Sequence, residues 1–192
     1  MGNAVVHFYV EADDLQAVLD QAESLGAKTI LPVTDFGGVV TIAMFSDPDG
    51  LLVGLVKSAD PAQAGEQMEM GPSAGAGEPV DWFEVLGSDS GQTQRFYSEL
   101  FGWSVGGSVA SGYGMVDTGA GRGIQGGLGS SEQNKRATIY ASVPDVEQTL
   151  AKAEASGGTR VYGPLPVDDH MQTGAFRDPA GNIFGVYHHA DH

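Results

Sequence analysis

Few side chains in this 192-residue chain are equipped for chemistry, and none is a cysteine. That excludes disulfides, iron–sulfur clusters, thiolate zinc sites and Cys nucleophiles. The histidines are His7, His170, His188, His189 and His192. His7 sits in an apolar run that reads as a strand. It is a metal ligand only if partners arrive from elsewhere, and otherwise a hydrogen-bonded or interface histidine. His188, His189 and His192 cluster near the end of the sequence and read as a solvated tail. Trp82 and Glu84 alternate with Asp81 and Phe83 along VDWFEVL, so they share one face of a strand. There Trp82 offers a stacking wall for a flat ligand, and Glu84 a buried acceptor or base. The blander reading makes Trp82 core and pairs Glu84 with a neighbour. Ile183, Gly185, Tyr187 and His189 point to one side of another strand, where the bulk missing at Gly185 leaves room for a ligand or for a close packing contact. Tyr113 and His170 are placed at the rim of the same region, with solvent exposure as the plainer reading of His170. The candidate ligand-binding set is therefore Trp82, Glu84, Tyr113, His170, Gly185, Tyr187 and His189. No catalytic residue is assignable, and His7 is the one candidate metal ligand.

Two motif matches are set aside. Gly121-x-Gly123-x-x-Gly126 has the spacing of a dinucleotide fingerprint, but GLGSS follows it rather than a helix, so no helix N-terminus faces a pyrophosphate. Gly71-x-Ser73-x-Gly75 has the spacing of a nucleophile elbow, with Pro72 beside the serine and no strand–turn–helix around it.

The elements that position these residues repeat. Sliding the chain by 131 residues aligns 5–60 with 136–191 without a gap, and 13 of the 56 positions are identical. Chance gives roughly 7 % for ordinary composition, so this is a duplication. The identities include Tyr9/Tyr140, Asp14/Asp145, Leu19/Leu150, Gly26/Gly157, Asp47/Asp178, Pro48/Pro179, Gly50/Gly181 and Gly54/Gly185. Each copy opens with a strand, Val5–Val10 or Ala137–Val143. A helix follows, with Leu15, Val18, Leu19, Ala22 and Leu25 along one face in the first copy. Asp13 or Asp14 caps its start and Gly26 stops it. Three strands complete the unit, the last two joined by Asp-Pro-x-Gly, a type I turn signature. Residues 80–129 read as a diverged third copy. VDWFEVL is followed by caps at Ser88-Asp89-Ser90, a helix with Phe96, Leu100 and Phe101 inward, a stop at Gly102, and Gly-rich strands. Phe96, Tyr97, Leu100, Phe101 and Trp103 read as core.

Residues 59–79, ADPAQAGEQMEMGPSAGAGEP, are Ala, Gly, Pro and polar without a period. They place one unit at 1–60, a linker at 61–79 and paired units at 80–192. The chain carries 9 Lys plus Arg against 25 Asp plus Glu, a formal net charge of −16. Such a surface repels phosphate backbones, so nucleic acid is not an expected partner. No apolar run is long enough for a membrane span, and the first residues lack a basic signal-peptide start; the expectation is a soluble, cytoplasmic protein.

Two consecutive βαβββ units, with RFYSELFGW after the first strand of one and DPAGNIFGVY near the end of the other, resemble the vicinal oxygen chelate superfamily. That group includes glyoxalase I, bleomycin-binding proteins, fosfomycin resistance enzymes and extradiol dioxygenases. PVDWFE at 79–84 resembles the opening of the second half in a two-domain glyoxalase-like branch with four units; against that pattern, this chain lacks the first. The resemblance implies an α+β fold of βαβββ units, two paired into a half-open barrel, plus one single unit. It also implies a metal inside the cup, held by His, Gln or Glu on each first strand and Glu on each last strand. His7 falls on the first-strand position of its unit, where the other units have Trp82 and Thr138. The last-strand position is Gly54 in the first unit and Gly185 in the third. Trp and Gly side chains do not bind metals and Thr is a poor ligand, so 80–192 keeps no recognisable metal triad.

The expected function is a glyoxalase-fold protein that binds a small organic molecule without a complete metal site and without a cofactor, in a resistance or accessory metabolic role. The alternative is a metal-dependent lyase, isomerase or dioxygenase of the vicinal oxygen chelate type, its divalent metal held by His7 and groups from a second chain. A purely structural dimer is a third class. A lone βαβββ unit exposes an apolar sheet face and an open edge, so a homodimer through residues 1–60 is expected, with two copies of His7 facing one cavity.

Overall fold

The computed structural model describes residues 7–57, 77–107 and 112–190. Most of the linker at 61–79, Gly71, Ser73 and Gly75 within it, and His192 lie outside the described residues. Two units are described separately, one within Phe8–Gly77 and one within Glu78–His192.

The smaller unit runs β1 (Tyr9–Glu11), α1 (Leu15–Ser24), β2 (Lys28–Asp35), β3 (Thr41–Ser46) and β4 (Leu52–Lys57). Its sheet has the order β1-β4-β3-β2, with β1 parallel to β4 and the other pairs antiparallel. Asp14 caps α1 by accepting from the Ala17 amide at 3.0 Å. Leu15, Leu19 and Ala22 face the sheet and are buried with Ala43, Phe45, Val53 and Leu55.

The larger unit repeats this order twice. Its first half is β5 (Val80–Gly87), α2 (Ser90–Phe101), β6 (Ser104–Gly106), β7 (Gly114–Asp117) and β8 (Gln125–Ser130). Its second half is β9 (Arg136–Ser142), α3 (Val146–Ala155), β10 (Thr159–Pro166), β11 (Met171–Arg177) and β12 (Ile183–His189). The halves join through antiparallel pairing of their first strands, giving one eight-stranded sheet, β10-β11-β12-β9-β5-β8-β7-β6. This is the α+β βαβββ architecture expected from the sequence. The Gly-rich strands are shorter than the residue runs suggest, because glycines weaken strand interiors. Gly121 and Gly123 take positive φ in a turn ahead of β8, so the apparent dinucleotide fingerprint opens a strand.

Both helices lie on one face of the eight-stranded sheet. Asp89 caps α2 and Gly102 ends it in the left-handed region at φ 70°. Under α2, Phe83, Val85, Phe96, Tyr97, Leu100, Trp103, Val116 and Leu128 are buried, and Trp103 packs on Phe83, Tyr97 and Phe101. Under α3 the core is Val143, Val146, Leu150 and Val186, with Ala141 and Phe176 alongside. Strand alternation turns Trp82, Glu84, Arg136, Thr138 and Tyr140 to the opposite, helix-free face. No helix among the described residues is long and apolar enough to cross a membrane.

Candidate functional site

The helix-free face is organised around Glu84. Its Oε2 accepts from Arg136 Nη2 at 2.9 Å and from the Tyr140 hydroxyl at 3.0 Å. Register explains the meeting. Glu84 lies opposite Thr138 on β9, so Arg136 and Tyr140, two residues to either side of Thr138, flank the carboxylate. The Tyr140 and Tyr162 hydroxyls are 3.2 Å apart, and Thr173 Oγ1 lies 3.5 Å beyond. On the other side, Trp82 Nε1 donates to the Tyr113 hydroxyl at 3.3 Å. A line of polar contacts thus crosses the sheet from Tyr113, just ahead of β7, to Thr173 on β11. The Glu84 and Arg136 side chains are only 13 % and 16 % exposed, so their attraction is weakly screened.

Burial and the Glu84 charge both act on the neighbouring phenols. Tyr113 is pushed well above its ordinary value by burial first and by Glu84 second. Tyr140 is pushed up by burial, then Glu84, then Tyr162. Both hydroxyls keep their protons and act as donors at neutral pH. Burial, the largest single influence, would lower the Arg136 value, but Glu84, Tyr140 and Tyr162 together outweigh it and the guanidinium is held protonated. Glu84 is a multiply bonded acceptor here.

Glycines make this arrangement possible. A Cβ at Gly185 would overlap the ring of Tyr140, and one at Gly127 or Gly129 would press into Tyr113. The bulk missing at Gly185 is therefore taken up by a phenol ring, the close packing contact that was one of the two readings of this glycine from sequence. The smaller unit does the same with Tyr9 over Gly54.

Of the other sequence candidates, Tyr187 is partly exposed on β12, its proton held by burial and then by Asp81. His170 is exposed in the turn before β11, and its ring lies 6.4 Å from that of His189 at the end of β12, beside Asp168. His188 is within 3.0 Å of the Val143 carbonyl through Nδ1, which makes it a structural contact rather than solvated tail. His7 is partly buried just ahead of β1. Arg136, Tyr140 and Tyr162 were not singled out as site residues from sequence. For Arg136 and Tyr140 the signal lay in the alternation Arg136-x-Thr138-x-Tyr140, and for Tyr140 also in the glycine at 185 beneath its ring.

Among the described residues, no three His, Asp or Glu side chains are placed to hold a metal ion. The positions that the resemblance assigns to ligands carry Trp82, Thr138 and a glycine covered by a phenol. This donor set does not fit a divalent metal, and no chemistry is derived through one.

Comparison with known proteins agrees with the fold. A model of the glyoxalase-like domain family matches residues 84–187, more than half of the chain. The curated proteins "Putative glyoxylase CFP32" of Mycobacterium tuberculosis and of Mycobacterium bovis are each 26 % identical over 182 residues, spanning 93 % of this chain and 67 % of theirs. A Mn(II)-bound glyoxalase from Novosphingobium aromaticivorans superposes with a TM-score of 0.64 at 14 % identity, covering 94 % of this chain and 61 % of its own. The 2,3-dioxygenase LapB from Pseudomonas sp. KL28 gives 0.59 at 15 %, covering 98 % and 73 %. This chain thus spans less than two thirds of that glyoxalase. Repeated βαβββ units, sheet order and matched sequence converge: the chain belongs to the glyoxalase-like domain family, within the vicinal oxygen chelate superfamily.

Proposed function

We propose that the helix-free face of residues 80–190 binds a small organic molecule without a divalent metal, in a sequestering or accessory metabolic role. The observation that supports this reading is the Glu84–Arg136–Tyr140 network. It puts an ion pair and protonated phenols on the face where a metal enzyme needs an open donor set. Trp82 adds a flat apolar surface beside those polar groups, a combination suited to orienting a small ring.

Elemental mass spectrometry on natively purified full chain, with a His7→Ala control, tests the metal half of the reading. Substoichiometric zinc, nickel, manganese and iron, with no ligand response to added metal, is the expected outcome. Near-stoichiometric metal that vanishes in the control would overturn it in favour of a lyase or dioxygenase. Thermal shift against a panel of small aromatic and carbonyl compounds tests the binding half; no shift with any compound rejects it.

A further inference from the structure

Resting on that reading, we propose that the ligand is uncharged and carries a hydrogen-bond acceptor, such as a ketone, lactone or amide carbonyl on a planar body. The argument is charge closure. The formal charges of Glu84 and Arg136 cancel across a 2.9 Å contact, and both side chains are largely removed from water. The phenols around them, Tyr113, Tyr140 and Tyr162, add donors without charge. A ligand cation would compete with Arg136 for Glu84, and a ligand anion would compete with Glu84 for Arg136. Either would leave one buried charge without its partner, which costs far more than the pair gains. The net charge of −16 opposes an anion further.

Two features take up an acceptor. The Arg136 guanidinium has five N–H donors in a fixed fork, so contact with Glu84 leaves capacity for a carbonyl oxygen. Thr138 stands between Arg136 and Tyr140 on β9, facing Glu84 in register. It is 1 % exposed, and its hydroxyl has no hydrogen-bond partner among the described residues. A buried hydroxyl left in that state has lost its water without a replacement partner. It stands inside the network that would receive the ligand, and a ligand oxygen would satisfy it.

The test uses three probes of one shape: acetophenone, benzoate and benzamidinium, titrated into full-length ¹⁵N-labelled protein at fixed ionic strength. The readout is the indole N–H resonance of Trp82, assigned with Trp82→Phe. Acetophenone is expected to bind at least ten-fold tighter than either ion. In Glu84→Gln, which leaves Arg136 unbalanced, the order is expected to reverse in favour of benzoate. Thr138→Val, nearly isosteric, is expected to weaken acetophenone about five-fold without lowering the unfolding midpoint. Benzoate or benzamidinium matching acetophenone on the unaltered protein would sink the charge argument while leaving small-molecule binding intact. If no probe moves the Trp82 resonance, the binding reading fails with it. Should Glu84→Gln not fold, the order on the unaltered protein and the Thr138→Val ratio still decide.

Discussion

Tyr140 links the most partners with the fewest atoms. Its ring covers Gly185 and its hydroxyl joins Glu84 to Tyr162. Tyr140→Phe keeps the ring and deletes both hydrogen bonds, so a loss of about 1–2 kcal/mol is expected in urea unfolding. An unchanged midpoint would mean that water replaces the hydroxyl at no cost. The phenols also set a pH dependence. Tyr113 and Tyr140 have values raised above the ordinary 10.0. Above pH 10 the unfolded chain releases these protons while the folded chain keeps them. The unfolded state then binds fewer protons, and stability falls as pH rises toward the folded values. Below pH 10 the contribution is fully present. Urea midpoints measured from pH 8 to 11 should therefore decline above 10, and less steeply in the double variant Tyr113→Phe/Tyr140→Phe.

At the scale of elements, the identities between the duplicated copies fall on working joints. Asp14 and Asp145 cap α1 and α3, accepting from Ala17 and Gln148 amides at 3.0 and 2.9 Å. Asp47 and Asp178 hold the turns before β4 and β12, where Gly50 and Gly181 amides return to their carbonyls at 2.9 Å. Pro48 and Pro179 pack on Gly26 and Gly157, which have positive φ. Asp14→Ala and Asp145→Ala should each cost about 1 kcal/mol, since each strips one amide of the same partner. A cost confined to one copy would show that another group replaces the cap. The glycine seats predict a larger effect. Gly185→Ala forces a methyl into the Tyr140 ring and should destabilise by about 1–3 kcal/mol. Most of that loss should disappear when Tyr140→Ala is already present. Additive losses would place the strain elsewhere.

At the scale of the whole molecule, the larger unit shows how one βαβββ repeat satisfies another: β5 and β9, the two first strands, pair antiparallel. β1 is the equivalent strand of the smaller unit and lies at the edge of its sheet. Tyr9, Ile30, Val33, Phe36, Val39 and Val40 are exposed in the same unit. An open edge and exposed apolar side chains favour association. We propose that the first strand of a second copy pairs with this edge, giving a homodimer through residues 1–60. Sedimentation velocity should give about twice 19.9 kDa; a monomer at tens of micromolar would refute this.

Local chemistry was enough to determine the elements. Periodicity marks the helices, Asp and Gly mark their ends, Asp-Pro-x-Gly marks the turns, and the 131-residue offset aligns both copies through every element. Each of these signals is carried by neighbours in the chain, so it survives without tertiary information. Alternation likewise put Trp82 and Glu84 on one face. The partners of Glu84 were not legible, because Arg136 and Tyr140 lie more than 50 residues away and meet it only through the register of β5 against β9. At Gly185 the sequence left two readings, room for a ligand or a close packing contact. Whether a gap stays open depends on which ring a neighbouring strand lays across it, and only the packed sheet decides that.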